Sequence, residues 1–276
     1  MSLKSILVHA APDDRLGAVL DIAFTLARTH DAHPIGLHIS SDPAASLHSL
    51  PGPVPGELMA ALEDRIEDEQ GRSKTAFDEA ATRHGISGEW RVESGDPASR
   101  IGIHARYADL AVMGQGDEED PSNDPELPTT VASMTGRPVL IVPRAGRFAD
   151  VGKRVLVCWN ASREATRAVT DALPILRLAD QVTVLAVNPD EGESHGEVPG
   201  ADMSHYLARH GVRAEANRTY AESIDVADAI LSRAADLSCD LIVMGAYGHS
   251  RTREWIFGGV TRSIMRTMTR PVLISH

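Results

Sequence analysis

Two stretches decide the fold: "KSILVHAAPDDRLGAVLDIAFTLA" at residues 4–27 and "KRVLVCWNASREATRAVTDALPIL" at residues 153–176. They align without a gap, each passing from a lysine through an apolar run to a helical period. Farther along, "DLAVMGQG" from Asp109 matches "DLIVMGAY" from Asp240, and "GRPVLIV" from Gly136 matches "TRPVLIS" from Thr269. The three matches come in the same order, so the chain reads as two copies of one unit. The copies span residues 1–146 and 150–276, and "PRAGRFADVG" at 143–152 links them.

In the second copy "RVLVC", "QVTVLAV", "RAEANRTY", "DLIVMG" and "PVLIS" read as strands. Between the first two, Ala165, Ala168, Val169, Ala172, Leu173 and Leu176 recur at i, i+3, i+4 spacing, with Ser162 placed as the N-cap. Leu16, Val19, Leu20, Ala23, Phe24 and Ala27 do the same behind Asp13 or Asp14. Helices alternating with nearly continuous apolar strands predict an α/β fold of two tandem doubly wound modules. Each is expected to be a five-stranded, mostly parallel sheet with helices on both faces. Ligands of such sheets gather at the carboxyl ends of the strands.

Composition narrows the class. The chain has 276 residues, 42% hydrophobic and 24% charged, as expected of a soluble globular protein. Its formal charge of −12 disfavours a phosphate-backbone partner or an anionic membrane surface, so neither nucleic acid nor membrane is expected. No segment approaches the roughly 20 apolar residues of a membrane span. The first apolar run is also too short for a secretion signal, which predicts a cytoplasmic location. Cys158 and Cys239 lie inside apolar runs and are expected as buried, reduced thiols.

The stretch "VMGAYGHSRTREWIFGGVTR" at 243–262 follows the end of one predicted strand. Gly245 and Gly248 would let a loop fold close to a ligand. Gly258 and Gly259 would open the next helix, bringing its free N–H groups and positive dipole end beside that loop. The spacing is neither G-x-x-x-x-G-K-[ST] nor G-x-G-x-x-G, which disfavours a Walker loop and a dinucleotide site. On spacing alone, a strand-end turn with a glycine-capped helix explains the glycines equally well.

Gly245-x-x-Gly248, nine residues, then Gly258-Gly-Val-Thr resembles the G-x2-G-x9-G-[ST] signature of the universal stress proteins. The tandem "DL(I/A)VMG" and "RPVLI" segments extend that resemblance over the whole chain. The family fold, like that of the adenine-nucleotide hydrolases, is the α/β architecture described above. The resemblance implies ATP, or AMP or ADP, with Mg²⁺ as companion ion. It assigns phosphate and ribose contacts to Gly245, Gly248, Gly258, Gly259, Val260 and Thr261, and puts the adenine near Asn160 and Val187. Two positions depart from the family pattern: Gly259 stands where Ser or Thr is usual, and Asn160 where Asp is usual. The resemblance also implies an internal pseudo-dimer of the two copies through their last strands, and leaves a further homodimer open.

The first copy reads "GQGDEEDPSNDPELPTTVASMTG" over the equivalent segment. Asp117 replaces Gly248, Pro125 and Glu126 replace Gly258 and Gly259, and Pro128 replaces Thr261. Carboxylates repel a triphosphate and proline removes N–H donors, so this copy is expected to hold no nucleotide. Elsewhere, His195, His205 and His210 with Glu193 and Glu197 lack a metal-site pattern, and no metal is expected. His249, Arg251 and Arg253 flank the glycine loop, where they either approach phosphates or form a charged cover.

No residue set is arranged to activate water, so no catalytic residue is assigned and only slow ATP hydrolysis is left open. The leading expectation is a stress-response protein that binds an adenine nucleotide in its second copy. The alternatives are an interaction module that binds no nucleotide and an ATP-dependent enzyme. The enzyme would need a glycine-rich phosphate loop after the first strand, and "CWNASRE" is not one.

Overall fold

The computed structural model describes residues 2–40, 55–118, 123–189, 200–221, 224–246 and 259–276. It divides into two compact units, one over Leu3–Gly114 and the other over Gln115–His276.

The Leu3–Gly114 unit runs β1 (Ser5–His9), α1 (Leu16–His30), β2 (His33–Ser40), α2 (Gly56–His84), β3 (Glu89–Ser94), α3 (Pro97–Ala105) and β4 (Leu110–Gly114). Its strands pair in the order β3-β2-β1-β4, all parallel. The predicted stripe of α1 is buried from Leu16 through Ala27. The helix starts at Leu16 rather than directly behind Asp14. The Asp13 carboxylate accepts from the Arg15 N–H at 2.8 Å, so Asp13 is the aspartate that orders this turn. Helix α2 has 29 residues, of which only Ser73, Phe77 and Ala80 are buried. Phe77 packs edge-on against Phe24 with ring centroids 5.2 Å apart, which fixes the helix over the sheet.

The Gln115–His276 unit begins with α4 (Leu127–Thr135) and β5 (Val139–Val142). It continues through β6 (Arg154–Cys158), α5 (Arg163–Leu176), β7 (Gln181–Val187), α6 (Ala201–Arg209), β8 (Ala214–Thr219), α7 (Val226–Asp236), β9 (Leu241–Gly245), α8 (Gly259–Thr267) and β10 (Val272–Ser275). The strand order is β5-β10-β9-β6-β7-β8. All these pairs are parallel except β5 with β10, whose register sets Leu273 against Leu140. Ser162 caps α5 by accepting from the Ala165 N–H at 3.1 Å, and the predicted stripe of that helix is buried.

Each unit repeats one device at the foot of its first strand. Asp109 accepts from the N–H groups of Lys4 at 2.7 Å and Ser5 at 3.1 Å. Asp240 accepts from Gly152 at 2.8 Å and from Lys153 and Arg154 at 3.1 Å. The aspartate preceding each fourth strand thus satisfies N–H groups that the end of a ladder leaves without partners.

Candidate functional site

A cleft of about 220 Å³ opens at the carboxyl ends of β6, β7 and β9. The order β9-β6-β7 makes this the switch point of the sheet, where connections from the central strand depart to opposite sides. The floor is Cys158, Leu185 and Met244, one side is Val226 and Ile230 of α7, and the rim is Trp159, Asn160 and Ser162. Gly245, Gly259, Val260 and Thr261 complete the lining. Six predicted residues therefore meet in one cleft: Asn160, Val187, Gly245, Gly259, Val260 and Thr261. Gly248 and Gly258 lie outside the described residues, as do His249, Arg251, Arg253, His195, Glu193 and Glu197.

Among the described residues, no side chain lining the cleft carries a charge. Its polar groups are the side chains of Asn160, Ser162 and Thr261 together with backbone groups at the strand ends. Trp159 N–H donates to the Leu185 carbonyl at 2.8 Å, and Asn188 N–H donates to the Thr219 carbonyl at 2.9 Å. Groups alternate sides along a strand, so the Val187 N–H and C=O face past the end of β6 into the cleft. Neither has a backbone partner among the described residues. At the other wall, Gly259, Val260 and Thr261 form the first turn of α8, whose N–H groups have no carbonyl four residues back within the helix. Among the described residues, the cleft thus offers a donor–acceptor pair without a backbone partner at one end and the first turn of α8 at the other.

The turns that shape the rim are conformationally costly. Ala161 has φ +56° and Asn188 has φ +47°, both in the left-handed region that alanine seldom occupies. The Asn160 amide oxygen accepts from the Ser162 N–H at 3.2 Å and braces Ala161 between them. Trp159 is half-buried and borders the cleft. Burial pushes the Cys158 thiol up to about 12, so it stays protonated at neutral pH and presents an apolar surface. Cys158 and Cys239 sit at opposite ends of the paired strands β6 and β9, and both thiols are free.

Gly245 has a packing role whatever the cleft binds. A Cβ there would stand 2.6 Å from the Ala165 nitrogen and 2.8 Å from the Glu164 Cβ, so the glycine admits α5 against the strand end. Its first-copy counterpart, Gly114, has nothing nearer than Val19 at 3.7 Å and an Asp13 carboxylate oxygen at 3.9 Å. A carboxylate therefore stands by the end of β4, pushed above the usual carboxylate range by burial.

A second, larger cavity of about 770 Å³ is lined by the acidic segment of the first copy and the far side of α8. Glu126 pairs with Arg262 at 2.6 Å, Glu118 with Arg266 at 3.0 Å, and Asp117 with Arg144. Gln115 donates to the Met265 carbonyl at 2.6 Å and accepts from the Arg144 N–H at 2.9 Å. Arginines four apart on α8 were the available signal, but nothing in the sequence tells which carboxylates they meet. Size alone would favour this cavity. Its charges are already neutralised by one another, whereas the smaller cleft keeps the Val187 N–H and C=O without a backbone partner among the described residues.

Fold and cleft define a doubly wound α/β protein with a ligand-type crevice at its switch point. Residues 152–276 match the universal stress protein family model, and this part of the chain belongs to the universal stress protein family. The fold of the whole chain is shared with a solved universal stress protein. A universal stress protein from Archaeoglobus fulgidus aligns over 98% of this chain and 97% of its own, with 17% identity and a TM-score of 0.71. A functionally unknown protein from Pseudomonas aeruginosa aligns over 99% of this chain and 92% of its own, with 16% identity and a TM-score of 0.60. A universal stress protein solved in complex with cAMP matches 52% of this chain and 100% of its own, with 20% identity and a TM-score of 0.35. No curated protein sequence matches the chain.

Proposed function

We propose that the switch-point cleft binds an adenine nucleotide, ATP or its ADP and AMP forms, with Mg²⁺ accompanying a polyphosphate. The observation that carries this reading is the Val187 N–H and C=O, without a backbone partner among the described residues, on the wall of a cleft whose described lining is uncharged. An acceptor nitrogen beside an amino group, the pattern of an adenine edge, satisfies both. Leu185, Val226, Ile230 and Met244 give apolar cover to the base, and the first turn of α8 with Gly245 supplies donors for phosphate. The cleft is smaller than the roughly 300–1,000 Å³ of pockets that enclose whole ligands. It suits a base and sugar with the phosphates at the rim.

In this reading residues 1–146 form a module without nucleotide and residues 150–276 the binding module. The antiparallel pairing of β5 with β10, the last strands of the two copies, supports an internal pseudo-dimer. No helix among the described residues is long and apolar enough to cross a membrane, in keeping with a cytoplasmic stress-response role.

Calorimetric titration with ATP–Mg²⁺ tests the assignment, using Val226→Trp to fill the cleft from its α7 side. Saturable binding that weakens at least tenfold in a variant of unchanged melting temperature is the expected result. An absence of binding heat in the unmodified protein would overturn it and favour an interaction module.

A further inference from the structure

The nucleotide reading places three structural features in a line. The Val187 backbone edge lies at the end of β7, the Gly245 and α8 donors lie by β9, and β6 runs between those strands. Asn160, at the end of β6, therefore stands opposite the middle of a bound nucleotide, where base joins phosphate through the sugar. Only the amide oxygen can accept the Ser162 N–H, so that bond sets the orientation of the amide and turns Nδ2, its two-hydrogen donor, to the other side. Asn160 thus presents a neutral donor to the sugar, in a cleft whose lining, among the described residues, carries no carboxylate.

We propose that Asn160 makes the cleft selective for adenine nucleotides bearing a phosphate ester on the 2′ or 3′ sugar oxygen. An ester phosphate only accepts hydrogen bonds, and a charged acceptor strengthens the bond from Nδ2. A carboxylate here would accept from a free hydroxyl and repel the ester phosphate. The inference rests on the nucleotide reading above and adds the identity of its sugar.

The test compares AMP with adenosine 2′,5′-bisphosphate and adenosine 3′,5′-bisphosphate by calorimetry, in the full-length protein and in Asn160→Asp. Aspartate can still accept the Ser162 N–H, so the turn is retained. The expected result is that one bisphosphate binds the unmodified protein at least as tightly as AMP. Asn160→Asp then weakens that bisphosphate at least tenfold and AMP less than threefold. If both bisphosphates bind the unmodified protein more weakly than AMP, or the variant weakens AMP and bisphosphate alike, the sugar assignment is wrong while nucleotide binding stands. If none of the three binds and ATP–Mg²⁺ gives no heat either, both readings fall together.

Discussion

Gly245 and Ala165 are in contact across the root of the cleft: a methyl group on Gly245 would stand 2.6 Å from the Ala165 nitrogen. The contact is backbone against backbone and has no flexible side chain to yield. Gly245→Ala is expected to destabilise the protein by about 1–3 kcal/mol, in the range of overpacked cores. Gly114→Ala, at the matching position of the first copy, should change stability by less than about 0.5 kcal/mol, because its neighbours lie 3.7 Å or more away. Urea unfolding of the two variants measures both. Equal effects would show that the glycine of the second copy has no special packing role.

His9 ends β1 at the repeat position that Cys158 occupies in β6. Burial, aided by the nearby His38, pushes its imidazole down from 6.5 to about 4. Its folded pKa lies below its unfolded one, so the unfolded chain binds the extra proton. Stability is therefore full above pH 6.5 and is lost as pH falls toward 4, by about 3 kcal/mol over the window. His9→Cys, which copies the second unit, should flatten the stability profile between pH 7 and pH 5 relative to the unmodified protein. Parallel profiles would contradict the burial argument.

Gln115 holds the last turn of α8 through the Met265 carbonyl, whereas the Arg262–Glu126 pair is two-thirds exposed on its arginine side. Gln115→Ala is expected to cost about 1–2 kcal/mol, since it strips a carbonyl and an N–H of their partner. Arg262→Ala should cost less than about 1 kcal/mol, as exposed ion pairs do. Thermal unfolding in low and high salt separates them, because only the arginine effect should shrink with salt.

Much of the fold was legible because the matching segments of the two copies come in the same order and each aligns without a gap. Ser5–His9 and Arg154–Cys158, and Leu110–Gly114 and Leu241–Gly245, fall at corresponding positions of the aligned segments. The stripes of α1 and α5 were readable for the same reason: each buries a continuous apolar face. Helix α2 escaped because most of its length faces solvent and shows little periodicity. Asp109 and Asp240 were visible as repeated letters, but their clamp joins residues 104 or more and 86 or more apart, which no local pattern reports. At the site, strand-end positions such as Asn160 and Val187 could be named from the resemblance. What they offer depends on which ladder bonds stay unmade, and that is a property of the folded sheet.

The central claim is one nucleotide per chain, held in the second copy. The most direct measurement is the nucleotide released from purified, denatured protein, quantified by chromatography and mass spectrometry after saturation with ATP–Mg²⁺ and removal of the free ligand. One adenine nucleotide per chain is the predicted result. Two per chain would contradict the reading of the Asp117–Glu126 segment as unable to hold phosphate, and none would contradict the assignment of the cleft itself.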